Sequence, residues 1–142
     1  MEVKITYRGW PGHYICAKEC LFRLNTLVKC GGVAVVISTV GNKSPDEDLR
    51  SFVDPERSGW CMEPIGLDRY YETMAFIAND SEYRDADVSK EVRFDSKWSL
   101  DINDLKNGAP DLQACAMHEA VVQEVVEHIY DGTLKIVGPH GD

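Results

Sequence analysis

The fold of this chain is decided by residues 21–40, which read LFRLNTLVKCGGVAVVISTV. The first run, residues 21–28, alternates between two faces and therefore predicts a strand. The second run, residues 33–40, is rich in β-branched side chains and predicts a central strand buried on both faces. Two glycines, Gly31 and Gly32, separate the runs and indicate a hairpin-like turn.

Further strands are predicted on both sides of this hairpin. They are recognised by β-branched and aromatic residues bounded by turn residues. The predicted strands are residues 1–7, 13–17, 69–77, 91–94 and 133–137, and residues 98–100 extend or follow the strand at 91–94. Residues 79–89 are predicted to form a polar connection. Residues 42–64 lack any regular pattern, so we expect an irregular loop or insertion there.

One long helix is predicted near the C-terminus. Pro110 and Asp111 are typical of a first helical turn, and Gly132 is typical of a helix end. Apolar residues recur between them at helical spacing, at Met117, Val121, Val125 and Ile129. Many strands followed by one helix indicate an α+β fold with a mostly antiparallel sheet of about six strands. We expect residues 1–142 to form a single domain, whose broad apolar helix face favours a homo-oligomer.

Composition and charge narrow the classes of function. The chain has 142 residues, and its 24 Asp and Glu against 15 Lys and Arg give a net charge of −9. Such a chain is not expected to bind DNA, RNA or an anionic membrane. Residues 1–30 run against this balance, with five Lys or Arg against two Glu. A local basic pocket for a small anion is therefore expected near the N-terminal third.

The sequence gives little support for a catalytic or metal site. His118 and Glu119 begin a zinc-protease motif, but Val122 replaces its second histidine, so His118 is expected to be a surface or capping residue. An alternative zinc set has non-standard spacing and comprises His13, Cys16, Cys20 and Cys30. With an odd count of five cysteines and no secretion signal, reduced thiols in the cytosol are expected. No metal, cofactor or catalytic residue is predicted.

Two segments have the chemistry of a nucleotide site. Arg23 and Asn25 project from one face of the predicted strand, and Thr26 follows on the other face. A guanidinium group offers paired donors to a phosphate, and an Asn side chain can bind a base or ribose edge. Arg69 and Tyr71 form the second segment, in which a cation stands beside an aromatic ring that can stack on a base.

These segments also carry a resemblance to a known family. The chain is similar, over nearly its whole length, to the first family of Thoeris anti-defence proteins, which are small and encoded by phages. The similarity rests on residues 10–16 (WPGHYIC), 22–27 (FRLNTL), 37–41 (ISTVG), 65–76 (IGLDRYYETMAF), 85–88 (DADV) and 117–119 (MHE).

The resemblance implies a sponge and not an enzyme. Members of the family bind cyclic ADP-ribose isomers and small cyclic oligonucleotides in the host cytoplasm without cleaving them, and they form symmetric oligomers. It implies that Arg23 and Thr26 contact a cyclic oligonucleotide, whereas Arg69 and Tyr71 are chosen from chemistry alone. Two alternatives stay open: a phage inhibitor that binds a host defence protein directly, and a small nucleotide-acting enzyme using His13 and a cysteine or a carboxylate pair.

Overall fold

The computed structural model describes residues 2–8, 20–43, 64–66, 69–78 and 86–137. These residues form seven strands and two helices. The strands are β1 (Val3–Tyr7), β2 (Cys20–Cys30), β3 (Val33–Lys43), β4 (Tyr71–Ala78), β5 (Ala86–Val92), β6 (Ser99–Leu100) and β7 (Ile136–Val137); the helices are α1 (Ile102–Leu105) and α2 (Pro110–Asp131). The predicted α+β fold with one long C-terminal helix is confirmed.

The strands form one sheet in which all paired neighbours are antiparallel. Their order is β1-β2-β3-β4-β5-β7, and β6 pairs with β4. The β-branched run of β3 lies in the middle, and every residue from Val35 to Asn42 is buried. The β2–β3 turn contains Gly31 with a positive φ of 60°, a conformation that costs glycine little.

Helix α2 covers one face of the sheet. Its buried residues Val121, Val122, Val125 and Ile129 pack against Val28, Val35 and Ile37 of β2 and β3 in the main core cluster. Burial of each such side chain stabilises the fold by roughly 1.5–3 kcal/mol. The helix ends at Gly132, whose φ of 70° and N–H bond to the His128 carbonyl form the expected C-terminal cap.

A second core cluster joins the start of α2 to the sheet around Tyr71. The Tyr71 ring lies over Gly41 of β3 and makes an edge-to-face contact with Phe22, with ring centroids 5.6 Å apart. A Cβ atom at position 41 would lie 2.5 Å from Cγ of Tyr71 and 2.8 Å from the Tyr70 carbonyl oxygen. Glycine is therefore required at position 41 because the aromatic ring occupies the place of a side chain.

Several predicted boundaries were wrong. The strand predicted from residue 69 begins at Tyr71, and the connection predicted over 79–89 is strand from residue 86 onward. The strand predicted at 91–94 ends at Val92, and residues 42 and 43 belong to β3 and not to the 42–64 loop. Helix α1 was missed, although Asp101 and Asp104 form a reciprocal capping box at its start.

Other predictions are not tested by the described residues. The strand predicted at 13–17 and most of the loop at 42–64 lie outside them. Within the described ranges, no helix is both long and apolar enough to cross a membrane.

Candidate functional site

The two faces of the sheet divide the predicted site residues. Thr26 and Tyr71 point toward α2, because they bond to residues of that helix. Arg23 and Asn25 alternate with Thr26 along β2 and therefore point to the opposite side, here called the distal face. Arg69 reaches the distal face through its ion pair with Glu72.

Asn25 is held on the distal face by an arginine that the sequence analysis did not select. The backbone N–H of Arg8 donates to the Asn25 carbonyl at 2.7 Å, and its Nε donates to Oδ1 of Asn25 at 2.8 Å. Asn25 is only 3% exposed, so this amide is a fixed group. The pairing joins residues 17 positions apart and depends on the antiparallel register of β1 and β2.

Ser38 lies directly beside Asn25 on the neighbouring strand β3. Its side chain is 1% exposed, and its hydroxyl has no hydrogen-bond partner in the part of the chain that the structure describes. Leaving a buried hydroxyl unpaired costs about 1–3 kcal/mol. Because Asn25 and Ser38 are almost fully buried, a ligand would have to open this part of the distal face to reach them.

Basic side chains cluster on the distal face of β1 and β2. Alternation places Lys4 and Arg8 of the β1 segment on the same side as Arg23 and Lys29 of β2. The Nε of Arg23 donates to the Cys20 carbonyl at 2.9 Å, which anchors the guanidinium at the end of the strand. Four of the five basic residues in the range 1–30 thus lie on one face, and the fifth, Lys18, lies outside the described residues.

Arg69 does not add an uncompensated cation to this cluster. Its Nη1 pairs with Glu72, which is 7% exposed, and its Nε donates to the Gly66 carbonyl at 3.3 Å. Glu72 lies across β3 from Arg23, since both are paired with Val40. The distal face therefore has Arg23 on the β2 side of β3, and Arg69 paired with the Glu72 carboxylate on the β4 side.

Thr26 belongs to a buried network around His118 of α2. Thr26 Oγ1 lies 2.7 Å from Nε2 of His118, Thr39 Oγ1 lies 2.7 Å from Nδ1, and Thr39 Oγ1 lies 2.5 Å from Thr73 Oγ1. All four side chains have no exposed surface. Burial lowers the pKa of His118 to about 4, so the ring is neutral at pH 7.

The expectation that His118 is a surface or capping histidine was therefore wrong. His118 lies on the apolar face of α2, one position after Met117 and three before Val121. Thr26 is enclosed with it and does not share a surface with Arg23 and Asn25.

Tyr71 is likewise enclosed between the sheet and α2. Its hydroxyl donates to Oδ1 of Asp111 at 2.5 Å, in the first turn of α2. Asn42 Nδ2 approaches the same oxygen at 3.5 Å. Burial, followed by the bond to Asp111, raises the pKa of Tyr71 well above its usual range. Because the ring has no exposed surface, it ties the helix start to the sheet and offers no face to a base.

None of the described cysteines is in a disulfide. Cys20 and Cys30 are buried, and burial raises the pKa of the half-buried Cys115. Among the described residues, no three His, Cys, Asp or Glu side chains come together as a metal site. His13, Cys16 and Cys61 and the carboxylates at 46–48 and 85 lie outside those residues.

No protein-family model, curated protein or solved structure matches this chain. The distal face therefore has to be interpreted from its own chemistry. Its two additional members, Arg8 and Ser38, were missed because only strand register brings them beside Asn25. The available signal was that Ser38 interrupts an apolar run on the distal side of β3.

Proposed function

We propose that this protein binds a small cyclic nucleotide signal on the distal face of its sheet and sequesters it without cleavage. One observation carries the proposal: Arg8 lies beside Asn25 on the β1 side, Ser38 lies beside it on the β3 side with no hydroxyl partner among the described residues, and Arg23 follows on the same face of β2. Guanidinium groups bind phosphate through charge-assisted hydrogen bonds, and amide and hydroxyl groups bind ribose or base edges.

The charge distribution supports a small anion over a long one. The four basic side chains of β1 and β2 share one face, while the whole chain has a net charge of −9. A compact ligand can be surrounded by the local positive potential, whereas an extended polyanion would also meet the acidic remainder of the surface. Cyclic dinucleotides, trinucleotides and cyclic ADP-ribose isomers have this compact form.

The chemistry of the described groups favours retention over turnover. His118 has a lowered pKa and is enclosed by threonines, and Cys115 has a raised pKa. Neither is suited to acid–base or nucleophilic work on a ligand bound at the distal face. Sequestration requires tight binding, about −12 kcal/mol for a nanomolar Kd, and no bond breaking.

The wider biological setting follows the family resemblance. A phage protein of this kind would act in the host cytoplasm as a symmetric oligomer and would deprive an immune effector of its activator. Light scattering with and without ligand measures the assembly, and a single-chain mass in both states would contradict it.

The function is tested by ligand capture and release. Purified protein is incubated with a panel of cyclic nucleotides, freed of unbound ligand and heat-denatured, and the released material is compared with the input by mass. Intact ligand is expected. Altered ligand would establish an enzyme, and no retained ligand would favour an inhibitor that binds a host protein directly.

The location is tested by Arg23→Ala, with Arg93→Ala as the matched control. Loss of a charge-assisted hydrogen bond should weaken binding by about 1.5–3 kcal/mol, or roughly 10- to 150-fold in Kd by calorimetry. Arg93 is exposed and lies 5.5 Å over the Trp98 ring, so its loss should leave Kd unchanged. An equal Kd for wild type and Arg23→Ala would contradict the assignment.

A further inference from the structure

Strand β1 forms one edge of the sheet. It is the terminal strand in the order β1-β2-β3-β4-β5-β7, and its pairing partner among the described residues is β2 alone. The backbone N–H of Arg8 donates to the Asn25 carbonyl, so the even-numbered residues of this segment bond to β2. The N–H and C=O groups of Val3, Ile5 and Tyr7 therefore point away from β2, along the outer edge of the sheet.

The side chains of this edge strand are accessible as well. Tyr7 is 61% exposed, and Lys4 and Thr6 are exposed too. Val3 and Ile5 are half-buried, because they pack against the main core cluster under α2. An accessible edge strand is a template for a further strand, and natural proteins protect or pair such edges.

The backbone and apolar side chains of β1 are complementary to a second copy of β1. When two copies run antiparallel with Ile5 opposite Ile5, Val3 lies opposite Tyr7 of the second copy. Every outward N–H and C=O group of these three residues then has a partner. The side-chain pairs are Ile5 with Ile5 and Val3 with Tyr7, and aliphatic and aromatic–β-branched pairs of this kind stabilise neighbouring strands.

The charged side chains favour this register over its neighbours. On the distal face it places Lys4 opposite Thr6 and Glu2 opposite Arg8, so no like charges are directly opposed. A shift of two residues in one direction would place Lys4 opposite Lys4, and a shift in the other direction would place Lys4 opposite Arg8. Either shift would also leave an end residue of β1 without a partner in the opposing strand. Charge and hydrogen bonding therefore agree on one register.

We propose that two copies of this chain pair through β1 and join their sheets into one continuous antiparallel sheet. The two-fold axis would pass between the two Ile5 residues, perpendicular to the sheet, with α2 of both copies on the same side. Such an interface is closed, because each copy uses the same strand. Strand β7, at the other end of the sheet order, is two residues long and offers little edge for head-to-tail growth. The pairing would give the symmetric assembly a surface, and it does not depend on nucleotide binding.

Disulfide crosslinking tests the register. Ile5→Cys would place two thiols opposite each other, with Cα atoms about 5.5 Å apart, a separation that a disulfide spans. Mild oxidation should therefore convert most of this variant to a crosslinked dimer. Val3→Cys is the matched control, because Val3 of the second copy would lie four residues, or roughly 13 Å, farther along the strand. Oxidised wild type accounts for any crosslink through the native cysteines.

Sedimentation over a series of concentrations tests the role of charge. Wild type should have the mass of two chains or an even multiple of it. Thr6→Lys would oppose an ammonium group to Lys4 at both ends of the interface and should raise the dimer Kd roughly 2- to 30-fold. The double variant Lys4→Glu/Thr6→Lys would make both pairs opposite in charge and should restore Kd to within about threefold of wild type. Asn107→Lys adds the same charge at an exposed position between α1 and α2 and should leave Kd unchanged.

Three results would overturn the proposal: a single-chain mass for wild type up to about 1 mM, dimers that do not crosslink through Ile5→Cys, and dimers unaffected by Thr6→Lys. The last two would show that another surface joins the copies. Near-ultraviolet circular dichroism confirms that each variant is folded. The captured-nucleotide assay separates this proposal from the proposed function. Nucleotide retained by a monomer would reject the pairing alone, and crosslinked dimers that retain no nucleotide would reject the nucleotide site alone.

Discussion

The buried His118 makes the stability of this protein depend on pH in a way that can be calculated. In the folded state His118 is fully buried and bonds to Thr26 and Thr39, and burial lowers its pKa to about 4 from the ordinary value of 6.5. In the unfolded chain the ring titrates near the ordinary value. Between these two values, acid protonates the unfolded chain preferentially and so destabilises the fold.

The magnitude follows from the two pKa values. Stability associated with neutral His118 is fully present above pH 6.5, falls as the pH drops toward 4, and is constant below that. The full difference is roughly 3 kcal/mol at 1.36 kcal/mol per pH unit. At pH 4.5 the loss relative to pH 7.5 is about 2.5 kcal/mol.

The assay compares urea unfolding of wild type and His118→Gln at pH 7.5 and pH 4.5. Carboxylates and the other histidines contribute equally to both proteins, so their effects cancel in the difference. The advantage of wild type over the variant should shrink by about 2.5 kcal/mol at the lower pH. His128→Gln is the control, because it removes a histidine and leaves the His118 network intact. Its stability advantage over His118→Gln should shrink at pH 4.5 by the same amount as that of wild type.

A direct measurement covers the case in which His118→Gln does not fold. The imidazole protons of wild type, titrated by nuclear magnetic resonance, should show one ring with a pKa near 4. The reasoning is refuted if the ring assigned to His118 titrates near its ordinary value of 6.5, or if the free-energy difference changes by less than about 0.5 kcal/mol between the two pH values.

Three further substitutions test the contacts that hold α1 and α2 to the sheet. Gly41→Ala should lower the free energy of unfolding by about 1–3 kcal/mol, because its methyl group meets the Tyr71 ring. Gly32→Ala is the control, since its methyl group enters open space. Equal urea midpoints for the two variants would contradict this reasoning. Tyr71→Phe should cost about 1.5–3 kcal/mol by loss of the bond to Asp111, and an unchanged midpoint would show that this bond adds nothing. Asp101→Ala should cost about 0.5–2 kcal/mol by removing the α1 cap, measured by thermal melting; an unchanged melting temperature would show that the cap is dispensable.

Local pattern was sufficient for the main elements of the fold. The hairpin of β2 and β3 was predictable because alternation and β-branched content act within each strand and Gly31 marks the turn. Helix α2 was predictable because its apolar spacing and Gly132 cap are also local features. The strand boundaries near residues 71 and 86 were not predictable from local pattern, since a strand ends where its neighbouring strand stops pairing with it.

The candidate site was only partly predictable. Placing Arg23 and Asn25 on one face required only the two-residue repeat of a strand. Arg69 and Tyr71 were expected to act together, but the structure separates them: Arg69 pairs with Glu72 on the distal face, and Tyr71 is enclosed under α2. Residues two positions apart share a face only within a strand, and Arg69 precedes the start of β4 at Tyr71, so the two-residue repeat does not relate their side chains.

The sequence by itself determined which residues could share a face, because backbone geometry fixes the periods of strand and helix. Tertiary structure alone decided which of those faces meet. It placed Arg8 and Ser38 beside Asn25, and it enclosed His118 against Thr26 of β2 and Thr39 of β3. These contacts join residues far apart in the chain, so their geometry depends on strand register and on the packing of α2, which no local pattern encodes.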